Sequence, residues 1–169
     1  MKAIDIANAL IMNYADADYL TNMKLNKLVY FTYAKALQNG CTLFDDSIEA
    51  WAYGPVIPNV YKEFAHLGSG QITLPTSKEV PVEAASAAQD IWGVYGFLTA
   101  MDIVEFSHRD GSAWKATYTK GVYHIPINDS DIIASTDGIE KPRREGTFAE
   151  AMDEASKRWS HVLDMLADS

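Results

Sequence analysis

Two segments of the chain carry the residue types of a metal site. Glu63-Phe64-Ala65-His66 and Glu105-Phe106-Ser107-His108 each set a carboxylate and an imidazole three residues apart. On a helix, each pair would share a face. Two such pairs on separate helices, joined by a Glu from each of two others, make the carboxylate di-iron site of helical bundles. The flanking residues speak against that use. His66 precedes Leu67-Gly68, and His108 precedes Arg109-Asp110-Gly111, so both histidines fall at helix ends. There an imidazole satisfies the last carbonyls and suits the helix dipole, whereas di-iron ligands sit mid-helix. A di-iron oxidoreductase using Glu63/His66 and Glu105/His108 therefore stands as an alternative, below a reading with no metal.

Other catalytic patterns are missing. The chain has no phosphate loop of the Walker type, no GxGxxG and no HExxH. Gly68-Ser69-Gly70 follows a helix rather than a strand, the wrong context for cradling phosphate. The single cysteine, Cys41, has no evident histidine partner. The expectation is a protein with no catalytic residues, no metal and no cofactor.

The elements that must position any site read as mainly α. The chain has 169 residues, enough for one domain over 1–169 with a proper core. Apolar periodicity predicts helices over residues 3–14, 22–39 and 59–67, the third opened by Pro58. A helix opened by Pro81 should break near Gly96. Thr99 with Asp102, Ser112, and Asn128 or Asp129 are caps for shorter helices. Thr147-Phe148-Ala149-Glu150 is a capping box for a last helix. That helix sets Phe148, Met152, Ala155, Trp159, Val162, Leu163 and Leu166 on one face, which predicts a core element. Residues 72–74 could pair with 123–125 in a small hairpin; residues 137–146 read as loop. The predicted fold is a compact multi-helix domain with at most a small β-hairpin.

Bulk properties set the class of partner. The formal charge is −9, which repels phosphates and disfavours nucleic-acid binding. It would help steer the chain to a basic partner. One cysteine permits no internal disulfide, and no apolar run approaches a membrane span or a signal peptide. The reading is cytoplasmic, with no membrane and no nucleic acid as partner.

The residues that suit binding are aromatic and basic. Trp51 and Tyr53 flank a Gly54-Pro55 turn, and Tyr61 follows on the next helix. Aromatic side chains on a rigid turn make low-entropy interface anchors; Trp51 reads as core, and Tyr53 as either an anchor or a cover over the next helix. On the second helix, Lys24, Lys27, Phe31 and Lys35 fall in one narrow stripe. It reads as a solvated face, as a basic-aromatic patch for an acidic partner, or as lysines paired with Glu49 or Asp46. His108 and Trp114 bracket a turn, with Trp114 plugging the core.

Residues 22–63 form a long, ordered motif. It starts Asn22-Met-Lys-Leu-Asn-Lys-Leu-Val-Tyr-Phe31 and continues to Glu49-Ala-Trp-Ala-Tyr-Gly-Pro-Val-Ile-Pro-Asn-Val-Tyr-Lys-Glu-Phe64. The motif resembles the Panacea domain, the SocA-like and phage-associated GepA-like antitoxin family. A second stretch from Leu98 to Trp114 is similar to the family's later pattern through His108 and Trp114. The matching positions are Lys24, Leu25, Lys27, Leu28, Tyr30, Trp51, Gly54, Pro55, Pro58, Tyr61, His108 and Trp114; apart from the two lysines, they are expected to be structural. The resemblance implies an antitoxin that neutralises a cognate toxin by direct binding, the toxin being encoded by an adjacent gene. It also leaves open a phage or prophage accessory protein, or an adaptor binding a host factor.

Overall fold

The computed structural model describes the backbone of residues 1–16 and 19–167, with side chains through residue 160. The expectation that Asp16 to Asp18 close the first helix falls partly outside the described residues, as do the side chains of Val162, Leu163 and Leu166.

The second helix is the organising element. Thr21 caps it, its hydroxyl accepting the Lys24 N–H at 3.2 Å, and α2 runs over Asn22–Gln38. Leu25, Leu28, Val29, Tyr30 and Phe31 are each fully buried. A helix apolar on most of its circumference must be enclosed. Around α2 lie α1 (Ala3–Tyr14), α3 (Pro58–Phe64), α4 (Val82–Tyr95), α5 (Ala100–Ser107) and α7 (Asp129–Ile133). Burying each large apolar side chain contributes roughly 1.5–3 kcal/mol, so this enclosure accounts for much of the fold's stability.

Local signals set the other boundaries. Pro58 opens α3, where its missing N–H costs nothing, and a 3-10 turn, Ala65–Leu67, follows. Gly96 ends α4. Thr99 and Asp102 form a reciprocal capping box on α5, and Ser112 caps α6 (Ala113–Thr117). These boundaries match the sequence expectations, as does the mainly α class: eight helices among the described residues surround one small antiparallel sheet.

The sheet corrects one pairing. Its strands are β1 (Glu49–Trp51), β2 (Gly54–Val56) and β3 (Ile125–Pro126), in the order β2-β1-β3. Ile125 faces Ala50, so the 123–125 region does not pair with residues 72–74. Ile72 instead donates to the Leu20 carbonyl at 2.8 Å. Pro55 is tolerated because β2 is an edge strand.

The last helix, α8 (Phe148–Ala167), corrects a second expectation. It is helical as predicted, but among the described residues it does not join the core: residues 151–160 are all exposed, and Trp159 is 68% exposed. Its start is pinned to α5, where the Asp102 carboxylate accepts the Phe148 N–H at 2.7 Å and the Ala149 N–H at 3.1 Å. Beyond that first turn Arg144 pairs with Asp153, and the apolar side chains through residue 160 stay exposed. No described helix is long and apolar enough to cross a membrane.

Candidate partner-binding site

Gly54 and Lys27 together fix the turn that carries the exposed aromatics. Gly54 has φ +104, a conformation that disfavours side chains. A Cβ there would lie 2.5 Å from Lys27 Cε and 2.6 Å from Ser107 Oγ. The turn is thus clamped against α2 and the end of α5, while Tyr53 at its tip stands 67% exposed.

Trp51 sits beneath this tip. Its ring meets Tyr61 edge-on at 4.9 Å and His124 at 6.4 Å. Its indole N–H donates to Glu49 Oε2 at 2.7 Å. His124 Nδ1 lies 2.9 Å from the same oxygen. Burial pushes the Glu49 carboxyl up, but the Trp51 and His124 hydrogen bonds outweigh it and hold it below the usual range. His124 takes φ +57, an uncommon conformation for a residue with a side chain. Next to it, Tyr123 is 82% exposed. Antiparallel pairing of β1 with both neighbours brings Tyr53, Trp51, Tyr123 and His124 to one end of the sheet.

A stacked column supports this end. Trp114 donates its indole N–H to the Trp51 carbonyl at 2.7 Å. His108 stacks on one face of Trp114 at 3.7 Å, and Tyr118 stacks on Trp114 at 4.7 Å. Burial lowers the affinity of the His108 imidazole for a proton, and the Lys27 and Lys115 charges lower it further. His108 Nε2 is buried with no hydrogen-bond partner among the described residues.

The basic-aromatic stripe is not a surface. Lys24, Lys27 and Phe31 are buried, because α4 and α5 cover that side of α2. Lys24 Nζ donates to the Gly96 carbonyl at 2.9 Å and lies over the Trp92 ring. Phe31 stacks on Tyr95 at 4.7 Å and meets the tilted Phe106 ring at 5.6 Å. Lys35 is only half-buried. Neither suggested lysine partner is used: Asp46 accepts from the Ala3 N–H at 2.9 Å and from Asn59 at 2.8 Å, and Glu49 is held by Trp51 and His124. Lys27 makes no hydrogen bond or ion pair among the described residues, and burial lowers its amine from 10.5 to about 7.

The two Glu-x-x-His pairs do not assemble. Glu63, His66 and Glu105 are exposed, with only His108 half-buried. No group of three or more potential metal ligands comes together among the described residues. The positions expected to be structural are mostly internal: Leu25, Leu28, Tyr30, Gly54, Pro55, Pro58 and Trp114 are buried, while Trp51 and His108 are half-buried and Tyr61 is exposed.

One network was invisible in the sequence. Tyr30 donates to Asp137 Oδ2 at 2.5 Å, the Ala113 N–H donates to the same atom at 3.0 Å, and Arg109 Nη1 lies 2.9 Å from Oδ1. Arg109 also reaches Glu140 at 3.0 Å. Burial and the Asp137 charge hold the Tyr30 phenol well above its usual range. Gly138, at φ +79, lies flush on α2, since a Cβ there would be 2.5 Å from the Lys35 nitrogen. The Asp137-Gly138 dipeptide was the available signal for this tight approach.

No solved structure matches the chain. A curated relative, Antitoxin SocA of Caulobacter vibrioides (strain NA1000 / CB15N), is 31% identical over 124 residues, which cover 64% of this chain and 66% of the relative. The family profile described as "Antitoxin SocA-like, Panacea domain" matches residues 25–115. That span holds Lys27, Tyr30, the Gly54 turn and the His108–Trp114 column, and it stops before α8. With more than half of its length matched, the chain belongs to the SocA-like Panacea domain family.

Proposed function

We propose that the chain is an antitoxin that neutralises a cognate toxin, the product of an adjacent gene, by direct binding through the exposed aromatic end of its sheet. Family membership carries the toxin–antitoxin assignment. The geometry supports the mode: Tyr53 and Tyr123 are exposed on a hairpin end held from below by Lys27, Trp51 and Trp114. Rigid, exposed tyrosines bury large area at low entropic cost when a partner lands. The function needs no catalytic group, metal or cofactor, because occlusion of the toxin suffices.

The test is co-expression. The chain should rescue growth from the neighbouring gene's product, and the two should co-purify. Tyr53→Ala should weaken the complex by about 2 kcal/mol or more, roughly thirtyfold, with helix content unchanged. Rescue without a complex would overturn direct binding.

A further inference from the structure

The aromatic end of the sheet is charged against the rest of the chain. Two segments build it, 50–62 and 111–128. Together they hold Lys62, Lys115, Lys120 and His124 and not one Asp or Glu, although the chain has 23 acidic residues. With three lysines here and a total charge of −9, the rest carries −12. All four basic side chains are exposed. The fold gathers them around the aromatics. Lys62 follows Tyr61, whose ring meets Trp51, and its charge is felt by Glu49. Lys115 follows Trp114, which is bonded to the Trp51 carbonyl. Lys120 lies in the turn closed by the Val122 N–H on the Thr119 carbonyl at 3.1 Å, just before Tyr123. Four carboxylates flank these segments in sequence, and two are already engaged: Glu49 by Trp51 and His124, and Asp129 by Tyr33 at 2.8 Å. Glu63 lies two residues past Tyr61, about 200° round α3. Asp110 lies in the turn between α5 and α6.

We propose that this end takes a carboxylate-rich segment of a protein partner. The inference rests on the reading that the aromatic end is the docking surface. Lysine ammonium groups and tyrosine hydroxyls offer donors there, and ionised carboxylates are pure acceptors. The total charge favours a basic partner, but the site has the opposite sign. At physiological salt, exposed charges more than about 8 Å apart are largely screened, so the local sign governs contact. Such complementarity fixes register and excludes wrong partners. A nucleic acid suits the surface less. Its phosphate backbone runs past a small site and meets the −12 remainder, whereas a short acidic segment needs the site alone.

The experiment is nitrogen–proton correlation NMR of the full chain at about 0.15 M salt, titrated to about 1 mM with three probes. One is a peptide of alternating glutamate and alanine, the second its lysine–alanine counterpart of equal length, and the third a short thymidine strand. The glutamate peptide should shift the amides of Tyr53, Lys62, Lys115, Lys120 and Tyr123. The double variant Lys115→Glu, Lys120→Glu should bind it at least about fivefold more weakly, with the rest of the spectrum unmoved. The lysine peptide should shift other parts of the chain. A lysine peptide that shifts the aromatic end overturns the proposal. So does a thymidine strand that binds there more tightly than the glutamate peptide, or a glutamate peptide that shifts nothing there. With the neighbouring gene's product as ligand, tighter binding by the double variant also overturns it and leaves the proposed function standing. Absence of any complex with that product overturns the proposed function, while the peptide titration still decides the charge of the site's ligand.

Discussion

Replacing Lys27 with methionine should stabilise the protein, and most strongly at neutral pH. The amine is buried without a partner among the described residues, and burial moves it from 10.5 to about 7. In the window from about 7 to 10.5, the unfolded chain holds a proton that the folded chain does not. Stability therefore rises with pH across that window and is lowest below it. The shift corresponds to a ceiling of about 5 kcal/mol. Relaxation and water access reduce such figures, and replacing buried charges with apolar groups typically gains about 1–4 kcal/mol. Methionine keeps the stem that packs under Gly54 and removes the charge. The assay is urea unfolding of wild type and Lys27→Met from pH 6 to 11. The variant should be more stable by about 1–4 kcal/mol at pH 7, with the gap closing as pH rises past 10. A variant less stable at pH 7, or a gap that does not change with pH, would refute the reasoning, because it would mean that the amine is charged and paired.

Other substitutions follow from the same geometry. Gly54→Ala should destabilise by about 1–3 kcal/mol through backbone strain and overlap with Lys27, measurable by the same unfolding curves. Asp137→Ala should cost about 3–5 kcal/mol, since it strands Arg109 and removes the acceptor of Tyr30 and the Ala113 N–H; thermal unfolding reports it. Trp159→Ala should change stability by less than about 0.5 kcal/mol, as expected for an exposed residue, whereas a core tryptophan would cost about 3–5 kcal/mol.

Local chemistry was readable from the residues. Thr99 with Asp102, and Ser112, cap helices where their spacing predicts, because capping needs only neighbours in sequence. The turn at Gly54-Pro55 was also legible, since that pair dictates a break, but the residues alone left Tyr53 open between an anchor and a cover over the next helix. What failed was the side of a helix that another element covers. Lysines at helical spacing read as a wet face, yet α4 and α5 close over Lys24 and Lys27. The apolar stripe of α8 read as core for the converse reason: periodicity shows that a face exists, not what lies against it. Asp137 and His124 were missed because their partners, Tyr30 and Glu49, lie far away in the chain.

The most direct test of the antitoxin account is calorimetric titration of the purified chain with the neighbouring gene's product, using wild type, Tyr53→Ala and Tyr123→Ala. The account predicts a stoichiometric complex for wild type. Each variant should bind at least about thirtyfold more weakly, with an unchanged circular dichroism spectrum. Growth rescue by a chain that forms no complex, or full affinity in both variants, would contradict it.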